Sequence, residues 1–89
     1  MLRDQLVNQF HERDVDVDLD VSKNKMTVKF MNSPLYSATR EAKQQRADEV
    51  AAFVMSHYKR PLSSVATQFV SKRGGLSLGE TFEGRPAAQ

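Results

Sequence analysis

The stretch Asp14-Val15-Asp16-Val17-Asp18-Leu19-Asp20-Val21 alternates acid and aliphatic at every position. Only an extended strand, whose side chains leave on opposite faces with a period of two, separates those two sets cleanly. One face is apolar and seeks burial, while the other holds its carboxylates in water. The residues that follow complete the pattern. Walking outward from a two-residue turn at Lys23-Asn24, an antiparallel partner sets Val21 opposite Met26, Leu19 opposite Val28 and Val17 opposite Phe30, with Asp18 facing Lys29 and Asp20 facing Thr27. A slip of one residue drives the aspartates against Met26, Val28 and Phe30, so the alternation selects one face for burial. Asn24 suits the turn because asparagine tolerates a positive φ.

Before this hairpin, Leu2, Leu6, Val7 and Phe10 recur at helical spacing, which predicts a short amphipathic helix docked on the sheet. After it, Asn32-Ser33-Pro34 ends the strand, because proline has no N–H for a ladder and suits the first turn of a helix. Ser37 or Thr39 is the candidate cap of a long helix from about Ala38 to Tyr58. Ala47, Val50, Ala51, Val54 and Tyr58 form its apolar stripe, widened by Phe53. Arg40, Glu41, Lys43, Arg46, Asp48 and Glu49 are expected outside it, and Arg60-Pro61 to end the helix.

Leu62 to Lys72 fits a helix stripe or a strand, and the strand formers Val65, Thr67, Phe69 and Val70 favour the strand. With Lys72-Arg73-Gly74-Gly75 as a four-residue loop, Phe69 pairs with Leu78 and Val65 with Phe82. The expected fold is therefore α+β, a two-layer sandwich in the order α-β-β-α-β-β. A right-handed crossover through the long helix leaves a four-stranded mixed sheet with two helices on one face. Residues 1–83 read as one domain and 84–89 as a flexible tail. The uncovered face carries the aspartates, Thr27 and Lys29, and is wet or covered by a partner.

Three runs, Thr27-Val28-Lys29-Phe30-Met31-Asn32-Ser33-Pro34-Leu35, the helical Ala47-Asp48-Glu49-Val50-Ala51-Ala52-Phe53-Val54-Met55-Ser56-His57-Tyr58, and Gln68-Phe69-Val70-Ser71-Lys72-Arg73-Gly74, together span under half of the chain. They resemble a group of small uncharacterised bacterial α+β proteins, some of them exported. The resemblance implies a strand at Val65 to Val70 and the α+β order. It implies no activity and no site residues.

No constellation of catalytic residues stands out. Asp14, Asp16 and Asp18 have the spacing of a calcium loop, but Leu19 stands where that loop needs glycine and Lys25 where it needs a bidentate glutamate. Alternate strand residues lie about 6.6–6.8 Å apart, too far for all the carboxylates to share one ion. Weak divalent-cation binding on the acidic strand is thereby reduced to an alternative. The only histidines, His11 and His57, have no second ligand at metal spacing. No nucleophile elbow frames a serine, and Gly74-Gly75 lacks the phosphate-loop pattern. No cofactor and no enzymatic activity are expected.

Thirteen lysines and arginines against eleven acids give a net charge of +2, a weak basic bias. No cysteine is present, which excludes disulfides and thiolate metal sites. No apolar run approaches the roughly 20 residues of a membrane span, and Met1 to Phe10 carries charge where a signal peptide is apolar. As given, the chain reads as soluble and cytoplasmic, or exported if a leader has been removed. Arg40, Lys43 and Arg46 lie within two helical turns, and a nucleic-acid groove can use such a set, with Tyr58 or Phe69 stacking on a base. The acidic strand opposes that alternative. The favoured reading is a non-catalytic protein interaction module, its partner an unknown protein or a second copy. Its candidate surface comprises Asp14, Asp16, Asp18, Asp20 and Lys29 on the strands and Arg40, Lys43 and Arg46 on the helix, so that acidic strand and basic helix meet across copies.

Overall fold

The computed structural model describes residues 2–58, 62–73 and 76–84. Its elements are α1 (Leu2–Phe10), β1 (Val15–Asp20), β2 (Lys25–Met31), a 3-10 turn (Pro34–Ser37), α2 (Arg40–His57), β3 (Ser64–Arg73) and β4 (Leu76–Glu83). The strands make one sheet in the order β1-β2-β3-β4, antiparallel at both edges and parallel between β2 and β3. This is the expected α+β architecture. Leu6 of α1 and Ala47, Val50, Ala51 and Val54 of α2 share one core with Val15, Met26, Val28, Phe30, Val65, Phe69 and Phe82 of the sheet. Those strand residues all project to one face, so both helices cover the same side.

Both hairpins keep the predicted faces but shift register by two residues. Val17 pairs with Val28 and Leu19 with Met26, not with Phe30 and Val28, and Asp16 rather than Asp18 faces Lys29. The cause is a longer turn. Asp20 pairs with Lys25, leaving Val21 to Asn24 as the loop, closed by the Asn24 N–H on the Val21 carbonyl at 3.4 Å with Asn24 at φ 53°. Val21 is thus 76% exposed at the tip. At the other hairpin, Arg73 pairs with Leu76, so Phe69 meets Glu80 and Thr67 meets Phe82 instead of the expected partners. Gly74-Gly75 of the predicted loop and the predicted helix stop at Arg60-Pro61 lie outside the described residues.

Local chemistry sets the element ends. His11 takes φ 56° and the Glu12 N–H returns to the Val7 carbonyl at 3.3 Å, a left-handed C-terminal cap for α1. Ser33 caps the 3-10 turn by accepting from the Leu35 N–H at 3.1 Å. Thr39 caps α2 by accepting from the Ala42 N–H at 3.1 Å. Gly84, read from the sequence as tail, still belongs to the fold: its N–H donates to the Val65 carbonyl at 2.8 Å. A Cβ there would lie 2.6 Å from both the Ala47 carbonyl oxygen and the Ala51 side chain, so this approach of backbone to α2 requires glycine. Residues 85–89 lie outside the described residues.

One buried polar cluster ties two connections to α2. The Glu12 carboxylate, 7% exposed, accepts from the Ser33 hydroxyl at 2.8 Å and from Arg46 at 3.4 Å. Removing the acid leaves a buried hydroxyl without its acceptor and a largely covered guanidinium with Glu49 alone, which costs more than the net worth of the bonds themselves. Glu12→Ala is therefore expected to lose about 2–3 kcal/mol in urea unfolding. An unchanged midpoint would mean that the cluster contributes nothing.

Candidate interaction surface

Asp16, Asp18 and Asp20 project from β1 on the sheet face that no helix covers, because the apolar residues between them are held by the core. Asp14 precedes the strand, and its carbonyl accepts from the Met31 N–H at 3.0 Å. Across the ladder stand Lys29, Thr27 and Lys25. Lys25 reaches past β3 to Glu83 of β4, with Nζ 2.8 Å from Oε2, so its charge is drawn away from the aspartates. Among the described residues, Asp14, Asp16, Asp18 and Lys29 form no ion pair within 4 Å.

Asp20 works locally. Its carboxylate accepts from the Ser22 hydroxyl at 2.7 Å, the Ser22 N–H at 3.1 Å and the Lys23 N–H at 3.3 Å, fastening the four-residue turn. The Ser22 hydroxyl, helped by the neighbouring N–H donors and the Lys23 charge, holds the Asp20 carboxyl below the usual aspartate range.

The basic residues on α2 belong to the other layer, and the structure corrects their expected exposure. Lys43 is 5% exposed, not on the outer face. Its ammonium pairs with Glu80 of β4 and lies 5.2 Å from the Tyr36 ring centroid. Arg46 contacts Glu12 and Glu49 and lies over Phe10 at 4.9 Å. Arg40 is exposed, with its guanidinium 5.7 Å from the Phe82 centroid. Two members of the proposed basic set are thus engaged within the chain, and Arg40 is its exposed member.

The aromatic residues are also engaged. Phe69 is fully buried between Phe30 and Phe82, with ring centroids at 5.9 and 6.0 Å, and Tyr58 packs against the core. The His57 ring stacks on Phe53 at 4.1 Å, and its Nδ1 lies 2.9 Å from the Phe53 carbonyl in the last turn of α2. Among the described residues no three His, Asp or Glu side chains converge as metal ligands, and no helix is long and apolar enough to cross a membrane.

The sharpest contrast lies between the two sheet edges. Hydrogen-bonded pairs alternate along an antiparallel ladder, so every second residue of an edge strand points its N–H and C=O outward. The Met31–Asp14 bond places Val15, Val17 and Leu19 in that role on β1. There the Val15 carbonyl accepts from Arg3 Nε at 2.6 Å and the Val17 N–H donates to Asp16 Oδ1 at 3.1 Å. The Gly84–Val65 bond likewise turns Ser77, Gly79, Thr81 and Glu83 outward on β4. Only Glu83 is covered, its carbonyl accepting from Gln44 Nε2 at 2.8 Å; among the described residues nothing engages Gly79 or Thr81. Beside them Leu78 is 61% exposed.

Glu80, Gln44 and Arg3 were not among the residues singled out from sequence, and Leu78 was read only as the strand partner of Phe69. A signal for one pair was present: Lys43 lies four residues before Ala47 and seven before Val50 on the buried stripe, while Glu80 occupies an inward position of β4. Opposite charges at two positions where the pattern wants apolar residues point to each other. No family model, curated protein or solved structure matches the chain.

Two measurements check this surface. The Asp20 carboxyl resonance is expected to titrate below the ordinary aspartate value of about 3.9. Because its pKa is lowered on folding, its contribution to the hairpin is present above the unfolded value and is lost as pH falls through the folded one. An ordinary midpoint would show that the Ser22 and Lys23 donors do not hold it. In urea unfolding, Glu80→Ala should cost about 1–2 kcal/mol by stranding the Lys43 ammonium, and the double variant Lys43→Met with Glu80→Ala should recover most of that. Additive losses would mean that the two charges do not interact.

Proposed function

We propose that the chain is a non-catalytic protein interaction module that self-associates. The observation that carries this reading is the unequal treatment of its edges: on β1 side chains meet the Val15 carbonyl and the Val17 N–H and aspartates line the strand, while β4 keeps the outward backbone groups of Gly79 and Thr81 and an exposed leucine. An open, flat edge is the feature by which sheets recruit another strand. The engagement of Lys43 and Arg46 within the fold argues against a charge-driven meeting of acidic strand with basic helix.

Sedimentation velocity over a concentration series tests the reading. A dimer that grows with concentration and persists from low to high salt is expected, because backbone pairing and apolar contact are not screened as exposed ion pairs are. A monomer at every concentration would refute self-association. A dimer that dissolves in salt would return the contact to the charged surfaces.

A further inference from the structure

We infer that two copies join by antiparallel pairing of β4 with β4, with Leu78 of one copy against Leu78 of the other. This rests on the self-associating reading and names its contact. Three observations select the arrangement.

The first is charge. Two β1 strands brought side by side would set aspartate against aspartate on the open face, which repels. On β4 the carboxylates of Glu80 and Glu83 are already neutralised within each copy by Lys43 and Lys25. Two such edges meet without that repulsion, so a second copy is an acceptable neighbour for β4 and an unacceptable one for β1.

The second is backbone geometry. Gly79 offers its N–H and C=O outward, and residue 77 on the same row does likewise. In a two-fold antiparallel pair centred on Leu78, residue 77 of one copy lies opposite Gly79 of the other and exchanges both hydrogen bonds with it. Leu78, whose own polar groups face β3, then forms the close, non-hydrogen-bonded pair at the axis. The hydrogen bond from Gln44 to the Glu83 carbonyl lies at the far end of the strand and leaves this stretch clear.

The third is apolar area. Leu78 projects on the helix-covered side of the sheet, opposite Ser71 and beyond the reach of α2, and is 61% exposed. Axial pairing buries each leucine against its twin, whereas a shift of one residue along each strand sets Leu78 against Glu80. The product is a continuous sheet of eight strands, four from each copy, with the aspartate rows at its two outer edges. A contact of this size is small, so the dimer is weak.

The chain has no cysteine, so single cysteines can be introduced without background. At the axial position the Cα atoms lie about 4.5 Å apart, inside the disulfide window of about 4.4–6.8 Å. The two Thr81 positions lie about 20 Å apart in the same arrangement. In the full chain, oxidised glutathione is expected to link Leu78→Cys into a covalent dimer at least about tenfold faster than Thr81→Cys or Val21→Cys. Val21, at 76% exposure, serves as the control for unspecific collision. Leu78→Lys should weaken the sedimentation dimer about tenfold or more while leaving the folded spectrum unchanged. A wild-type dimer with no preferential link at position 78, or one that Leu78→Lys leaves intact, would overturn the β4 pairing while self-association stood. A wild-type monomer would overturn self-association itself.

Discussion

An open sheet of four strands leaves two rows of backbone N–H and C=O groups unpaired, and each row must be met by water, by side chains or by another strand. The two edges of this chain solve the problem differently. At β1, α1 lies close enough for Arg3 to donate to the Val15 carbonyl, and Asp16 folds back to accept from the Val17 N–H. At β4, among the described residues, side chains meet only the last carbonyl, through Gln44 of α2. The difference follows from the helices. Both pack on one face, and α2 is anchored toward the Gly84 end of β4, where Ala47 and Ala51 leave no space for a Cβ. The Leu78 end therefore extends past its cover.

Charges placed at inward positions deepen that asymmetry. Lys43 sits on the buried stripe of α2 and Glu80 on the inner face of β4, so each is the other's nearest means of avoiding an unpaired charge. The Tyr36 ring adds a further face for the ammonium. Replacing both by apolar residues would hold the layers together about as well, since desolvation offsets much of the attraction. What the ion pair adds is specificity: it fixes where along α2 the strand β4 docks, and it removes a negative charge from the one edge that stays open.

How much of this is legible in the sequence depends on which period carries the information. Alternation has a period of two, so it assigns faces correctly even when the register is misjudged by two: Val15, Val28, Phe30, Val65, Thr67 and Phe69 are all buried as the pattern requires. It cannot decide loop length. The Lys23-Asn24 turn fails because the Asp20 carboxylate, with three donors from Ser22 and Lys23, makes a four-residue turn the better one. At the second hairpin the ladder runs on to Arg73 and Leu76, the opposite change. On α2 the helical period identifies Ala47, Val50, Ala51 and Val54, but the long stems of Lys43 and Arg46 allow charges on or near the stripe to be absorbed, which a pattern of residue types alone does not show.

The shift by two also changes what the acidic row is for. In the predicted register Asp18 and Lys29 face each other and the row is partly balanced across the ladder; in the structure Asp16 takes that place and Lys25, opposite Asp20, turns to Glu83. Asp20 is spent on the turn and Asp16 on its neighbour's N–H. The row therefore serves the strand that bears it, by closing its turn, occupying one outward donor and repelling an identical edge. With that edge closed to its own kind and the basic helix residues engaged inside the fold, the exposed leucine and free amides of β4 are left as the part of the sheet whose hydrogen bonding and apolar burial another strand can complete.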